Sequence, residues 1–473
     1  MDVRPLRESP DFRRLWWGTA LSQLGSRMTD FAVALQIFRL TGSSLAVGAV
    51  GLASALPSLV FGLFGGALVD TVDRRKAVLF CTSGQAGLSA VFAVQAFFGT
   101  GAGPGTGLGA GGDGRLWLLY ALVVLKSTLG SVNAPARRTF MPRLLRAEQI
   151  PAGAALTMFA MHSAMTAGPL LAGLVAGPAG LKGCYLADLV SFSAALYGVG
   201  RLPAMLPEAV ATGRRPGDDS GSGDGSGSGS GRSGGNGGAR RPGLRAIGEA
   251  LRFLTVGQVL RGALLADVSA CVLAMPTALF PQINAERFGG GSLTLGVLSS
   301  SLAIGGVLGS TLSGHVGRIT RPGRGMLVGG AVWGLALAGF GMPGPLWAAV
   351  LLLVVAGAAD ANSVVFRTSI IQAAVPDRMR GRVNSVEYMV GAGTPQLGDF
   401  RAGAVASVSS PGVSAVTGGL AEVIAVGLMW LLLPGLVRYR AAVGSGQAGA
   451  AAMPAQAAGT GAASPETTST PGS

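Results

Sequence analysis

Runs of about 20 or more apolar residues recur along the whole chain, each long enough to cross roughly 30 Å of hydrocarbon. They fall near 13–38, 43–69, 76–98, 115–135, 150–177 and 182–202, and resume after a break near 256–283, 292–316, 325–341, 346–366, 384–409 and 412–437. A spanning segment must satisfy its own backbone hydrogen bonds, so such runs form helices. The pattern therefore predicts an all-α membrane protein of twelve transmembrane helices in two six-helix bundles.

Charge placement is consistent with this. Only 12% of the 473 residues are charged, about half the share of a soluble chain, and mean hydropathy is +0.51. With the N-terminus inside, most of the 36 Lys and Arg lie on that side, and the opposite loops hold only Arg39, Arg115, Lys182 and Arg287. The positive-inside rule then puts both termini in the cytoplasm. The net charge of +14 is a topology signal, and nucleic acid is excluded as a partner. No cleavable signal is visible, since the first apolar segment is long and contains Arg27 and Asp30. The three cysteines are scattered with no C-x-x-C pair, so neither a disulfide framework nor a metal site is expected. Abundant Ala and an excess of Arg over Lys suggest a bacterial source.

Residues 213–243 are dominated by Gly, Ser and Arg, a composition that cannot bury a core. The chain thus divides into an N-terminal bundle (1–202), a flexible cytoplasmic linker (203–250), a C-terminal bundle (251–440) and a disordered tail (441–473). The halves share a short repeat. Asn133 to Thr139 after the fourth span and Asn362 to Thr368 after the tenth both read N-x4-R-T, with the same offset between partners. The matching places of the two copies favour duplication in parallel.

Between spans 2 and 3 stand Gly66, Asp70, Arg74 and Arg75. Together they can form a loop that latches the two bundles in one state and releases them in another. These residues resemble the loop 2–3 motif of the major facilitator superfamily, with Thr71 and Asp73 departing from it. Three further stretches are similar to its enterobactin-exporter-like branch: Leu264–Asp267 with Met275–Pro281, Ala373–Asn384, and Pro395–Gly403. Gly168, Pro169 and Gly173 in span 5 resemble the core of the superfamily's antiporter motif. The resemblance implies a secondary transporter that exports a siderophore or drug-like molecule, coupled to protons, in a bacterial plasma membrane. Its partners would be that small molecule, protons and lipid, and it would work as a monomer without a cofactor. An importer or uniporter, or a transporter-like sensor, are the alternatives. No Walker A, H-E-x-x-H or G-x-S-x-G is present, so no enzyme chemistry is expected.

Charges inside spans cost about 2.5–3.5 kcal/mol on insertion scales, so they face a cavity or a partner. Arg27 and Asp30, three apart on one helix face, are proton-coupling candidates, with Asp267 and Glu422 in the second half. Lys126, Asp360, Arg367, Arg138, Asp399 and Arg401 form a candidate charge network. In that network Asp360 pairs with Arg367 or Arg138, and Asp399 and Arg401 reach different helices. Asp188 is expected at an outer helix end, solvated or capping. His162 is expected to pack by a hydrogen bond.

Overall fold

A computed structural model describes residues 2–69, 73–98, 112–138, 140–202, 248–249, 252–255, 257–312 and 321–440. The linker core, the tail and Asp70 of the loop 2–3 motif lie outside the described residues.

The long helices are α1 (Pro10–Thr41), α2 (Ser44–Val69), α3 (Arg74–Phe98), α4 (Gly112–Arg138), α5 (Ile150–Ala176) and α6 (Gly180–Gly200) in the first half. The second half holds α7 (Gln258–Ala274), α8 (Ser292–Leu312), α9 (Pro322–Gly341), α10 (Leu346–Ala374), α11 (Asp377–Val408) and α12 (Pro411–Leu432). Among the described residues there is no strand. Among the described residues nine helical segments are long and apolar enough to cross a membrane, and α1 and α11 are longer still but carry charges along their length. The chain is a multi-pass membrane protein.

Local sequence sets several helix ends. α1 and α12 both start with Ser-Pro: the hydroxyls of Ser9 and Ser410 accept from the amides of Phe12 and Val413, and proline occupies the first turn. α1 stops at Gly42, whose φ of 65° gives the left-handed cap. The apolar run at 256–283 reads as one span, yet the helix breaks there. Pro276 forces Met275 into an extended conformation. A 3-10 turn (Thr277–Leu279) and a short helix (Phe280–Arg287) follow.

Packing repeats across the halves. α1 packs on α5 and α6, α2 on α4, and α3 on α4 and α6; α7 packs on α11 and α12, α8 on α10, and α9 on α10 and α12. Adding six to each label of the first set yields the second. The halves meet at two seams, α2 with α11 and α5 with α8, which exchange under the same operation. Bulky apolar side chains such as Phe80, Trp117, Val190, Trp347 and Leu431 point outward. Small residues fill the helix contacts, as is usual where lipid replaces water.

Both seams close at the end that carries the 42–43, 177–179, 288–291 and 409–410 turns. A Cβ on Gly48 would stand 2.5 Å from the carbonyl oxygen of Asp399, and one on Gly173 would stand 2.5 Å from that of Ser292. Only glycine permits these backbones to touch. Hydrogen bonds bridge the halves there: Ser292 Oγ donates to the Gly173 carbonyl (3.0 Å) and Ser44 Oγ to Gln282 Oε1 (2.6 Å).

Candidate functional site

Behind the sealed end lies a cavity of about 1050 Å³ between the halves, the size of a pocket for a drug-sized molecule. On α5 its wall includes Met165 and His162, and on α8 Ser299, Ala303, Gly306 and Ser310. The cavity thus runs along the α5–α8 seam away from the sealed end. Ser54, Ser58, Ser127 and Ser131 line the α2–α4 wall, where Ser58 and Ser127 share a 3.0 Å hydrogen bond and Ser127 donates to the Ser54 carbonyl. Phe31, Phe280 and Trp333 supply apolar surface.

Arg27 and Asp30 face this cavity. Arg27 Nη1 lies 3.3 Å from Asp30 Oδ2, and both side chains are about half exposed (46% and 56%). The stem of Arg27 fits against Gly168, where a Cβ would stand 2.5 Å from the Arg27 Cβ. Gly168 and Pro169 therefore make room for the α1 ion pair, while α5 stays helical through Pro169 to Ala176.

Lys126 reaches from the cavity wall to Asp188, its Nζ 3.2 Å from Oδ2. The same oxygen accepts from Thr29 Oγ1 and Ser89 Oγ, each at 2.7 Å. Asp188 is fully buried, which corrects its expected place at a solvated outer end: α6 packs on both α1 and α3, so this face of α6 has no water. Sequence position alone gave no sign of the cluster. The partner hydroxyls come from helices far away in the chain.

In the second half Arg367 forms an ion pair with Asp267, and its Nε lies 3.6 Å from Glu387 Oε1. Asp267 does not line the cavity, and Glu387 is a member of the charge network that sequence reasoning missed. Asp360 is the converse case. It lines the cavity and has no ion-pair or hydrogen-bond partner among the described residues. The expected pair with Arg367 does not form, because Arg367 turns to α7 and α11; the side chain of Arg138 is outside the described set. Glu422 is fully buried within the second half, where it accepts from Ser269 Oγ at 3.2 Å. It lies beside Gly330 and Gly334 of α9, away from the cavity wall.

Asp399 holds the break in the seventh span. Its carboxylate accepts from Thr277 Oγ1 and, at 3.0 Å, from the Ala278 amide. Arg401, two residues on, points instead to Gly418 of α12. His162 lines the cavity and is exposed to it, with no hydrogen bond among the described residues, so the packing role expected of it is not what the structure shows. In the loop 2–3 motif, Gly66 lies in α2 and Arg74 opens α3. Arg75 Nη2 donates to the Gly200 carbonyl at the end of α6 (2.5 Å). Arg137, just before the repeat's Arg138, donates to Asn133 Oδ1 (3.2 Å), Thr19 Oγ1 (3.1 Å) and Thr82 Oγ1 (3.1 Å).

Two halves that repeat one packing pattern, sealed at one end over a cavity with polar and apolar walls, are the architecture of a membrane transporter that moves a small solute without chemistry on it. The family model described as transmembrane secretion effector matches residues 2–212 and 241–454, and the chain belongs to that family of the major facilitator superfamily. It is 24% identical over 441 residues to the enterobactin exporter EntS of Citrobacter koseri, covering 93% of this chain and 96% of the relative. Among solved structures, a bacterial homologue of iron transporter ferroportin in the inward-facing state matches with a TM-score of 0.64 at 16% identity, covering 91% of this chain and 99% of that one. The same description in an outward-facing state with soaked iron gives 0.53 at 15% identity, covering 90% and 99%.

Proposed function

We propose that the protein exports a siderophore or drug-like small molecule across a bacterial plasma membrane by alternating access, driven by proton entry. On this reading the helices make twelve spans with both termini cytoplasmic, each half is a rigid bundle joined by the 203–250 linker, and a monomer suffices. The structure is then the inward-facing state. The higher TM-score against the inward-facing homologue supports that assignment, as does the closed outer end.

The observation that carries the coupling part is the Arg27–Asp30 pair, the one ion pair that stands open to the cavity among the described residues. A coupling acid must meet water from each side in turn and have a charge partner whose position can change. A proton entering across about 100 mV gains about 2.3 kcal/mol. That gain drives export when protonation and substrate occupancy exclude each other. The related exporter is named for enterobactin, so iron-free enterobactin and ethidium are the two probes to offer.

Inverted vesicles with an acid interior should take up one of the probes severalfold faster than vesicles whose gradient has been collapsed. Asp30→Asn should insert normally, bind the probe and lose the gradient dependence. Uptake that ignores the gradient in the parent protein overturns proton coupling. Unchanged gradient dependence in Asp30→Asn leaves the Arg27–Asp30 pair as a static tie.

A further inference from the structure

The charges around the cavity do not balance on its two sides. In the first half Arg27 is matched by Asp30 and Lys126 by Asp188. In the second half Asp399 is occupied by Thr277 and the Ala278 amide, and Arg367 is committed to Asp267 and Glu387. Asp360 alone projects into the cavity without a counter-charge or hydrogen bond among the described residues. It lies fourteen residues along α10 from Leu346, hence about 21 Å from that end and near the middle of the helix.

A carboxylate at that depth is stable only against a positive charge or in local water. The cavity supplies the water, since Asp360 is exposed to it, and none of the described residues pairs a cation with it. Elsewhere the cavity wall includes apolar residues such as Phe31 and Met165, which suit an amphipathic guest. We propose that Asp360 is the recognition point for a positively charged group on the transported molecule, so that the substrate class is an amphipathic organic cation. This rests on the cavity being the transport path, and it narrows the function proposed above.

The test separates charge from shape. Tetraphenylphosphonium and tetraphenylborate have nearly the same form and opposite charge, and neither can deliver a proton. Equilibrium binding to the purified full-length protein should favour the phosphonium by about tenfold or more, which corresponds to about 1.4 kcal/mol. Asp360→Asn should abolish that preference, Asp360→Glu should retain it, and Asp360→Lys should reverse it, each with an unfolding midpoint near that of the parent. Equal binding of the two ions by the parent overturns the proposal. So does phosphonium affinity that survives in Asp360→Asn while only the pH response of transport is lost, which would make Asp360 a proton site. Asp360-dependent phosphonium binding without gradient-driven uptake would defeat the exporter reading and leave the cation site standing.

Discussion

Gly173 of α5 and Gly296 of α8 meet backbone to backbone at the sealed end, a Cβ on Gly296 standing 2.7 Å from the Pro169 carbonyl oxygen and 3.2 Å from the Gly173 Cα. The obstacle is main chain, so no rotamer change relieves it. Gly296→Leu should therefore disfavour this closed seam by about tenfold or more in population. Spin labels placed near the 177–179 and 288–291 turns should report longer distances than in the parent. An unaltered distance distribution would show that the helices slide past each other at little cost.

The Lys126–Asp188 pair should be a test of burial rather than of transport. Removing Lys126 alone leaves a fully buried carboxylate with two hydroxyls, and breaking a buried pair from one side costs about 3–5 kcal/mol. Lys126→Met should lower the thermal stability of the detergent-solubilised protein markedly, and adding Asp188→Asn should restore most of it. A double-mutant cycle measures this coupling. Additive losses would mean that Lys126 and Asp188 do not interact energetically.

Arg367 should behave quite unlike Asp360, which lies two turns away on the same helix. Arg367→Ala strands Asp267 and Glu387, both largely buried (13% and 25% exposed), and should reduce the folded yield in the membrane. The loss should be on the scale of about 3–5 kcal/mol expected for an uncompensated buried charge. Replacing all three residues with neutral ones should recover yield. If Arg367→Ala accumulates and unfolds like the parent, the network is not structural.

Thr277 offers a narrower probe of the broken helix. Its hydroxyl and the Ala278 amide both serve Asp399, so Thr277→Val removes one donor at constant volume. The expected cost is about 1–3 kcal/mol, the penalty of an unmet buried group. Faster exchange of the amides in the Phe280–Arg287 helix, read by hydrogen–deuterium exchange, would be the sign that this clamp holds the segment in place.

The spans were legible because hydropathy is a local property. Among the described residues ten of the twelve runs lie on one unbroken helix, the 412–437 run stopping at Leu432 before Pro434 and the 256–283 run breaking within its length. The break at Met275–Pro276 had its breaker in plain view, yet apolar residues on both sides hid it. Helix ends drifted where polar turns extend a helix beyond its apolar core, as α10 does through Arg367 to Ala374. The ionisable residues were also easy to find, but their partners were not. Asp188 meets Thr29, Ser89 and Lys126 across 159, 99 and 62 positions, and no spacing rule reaches that far. Asp360 and Arg367 sit seven apart on one helix, so pairing them was reasonable. It failed because α7 and α11 supply two competing carboxylates.

The two seams between the halves are copies of one contact, and this has a mechanical consequence. A rocking motion about the axis that relates them must break the α2–α11 and α5–α8 seams together, since neither can part while the other stays shut. Each seam is therefore a brake on the whole machine. A cross-link or antibody loop wedged at one of them should arrest the distant one as well, so that an inhibitor of this protein need never compete with the cargo for the cavity.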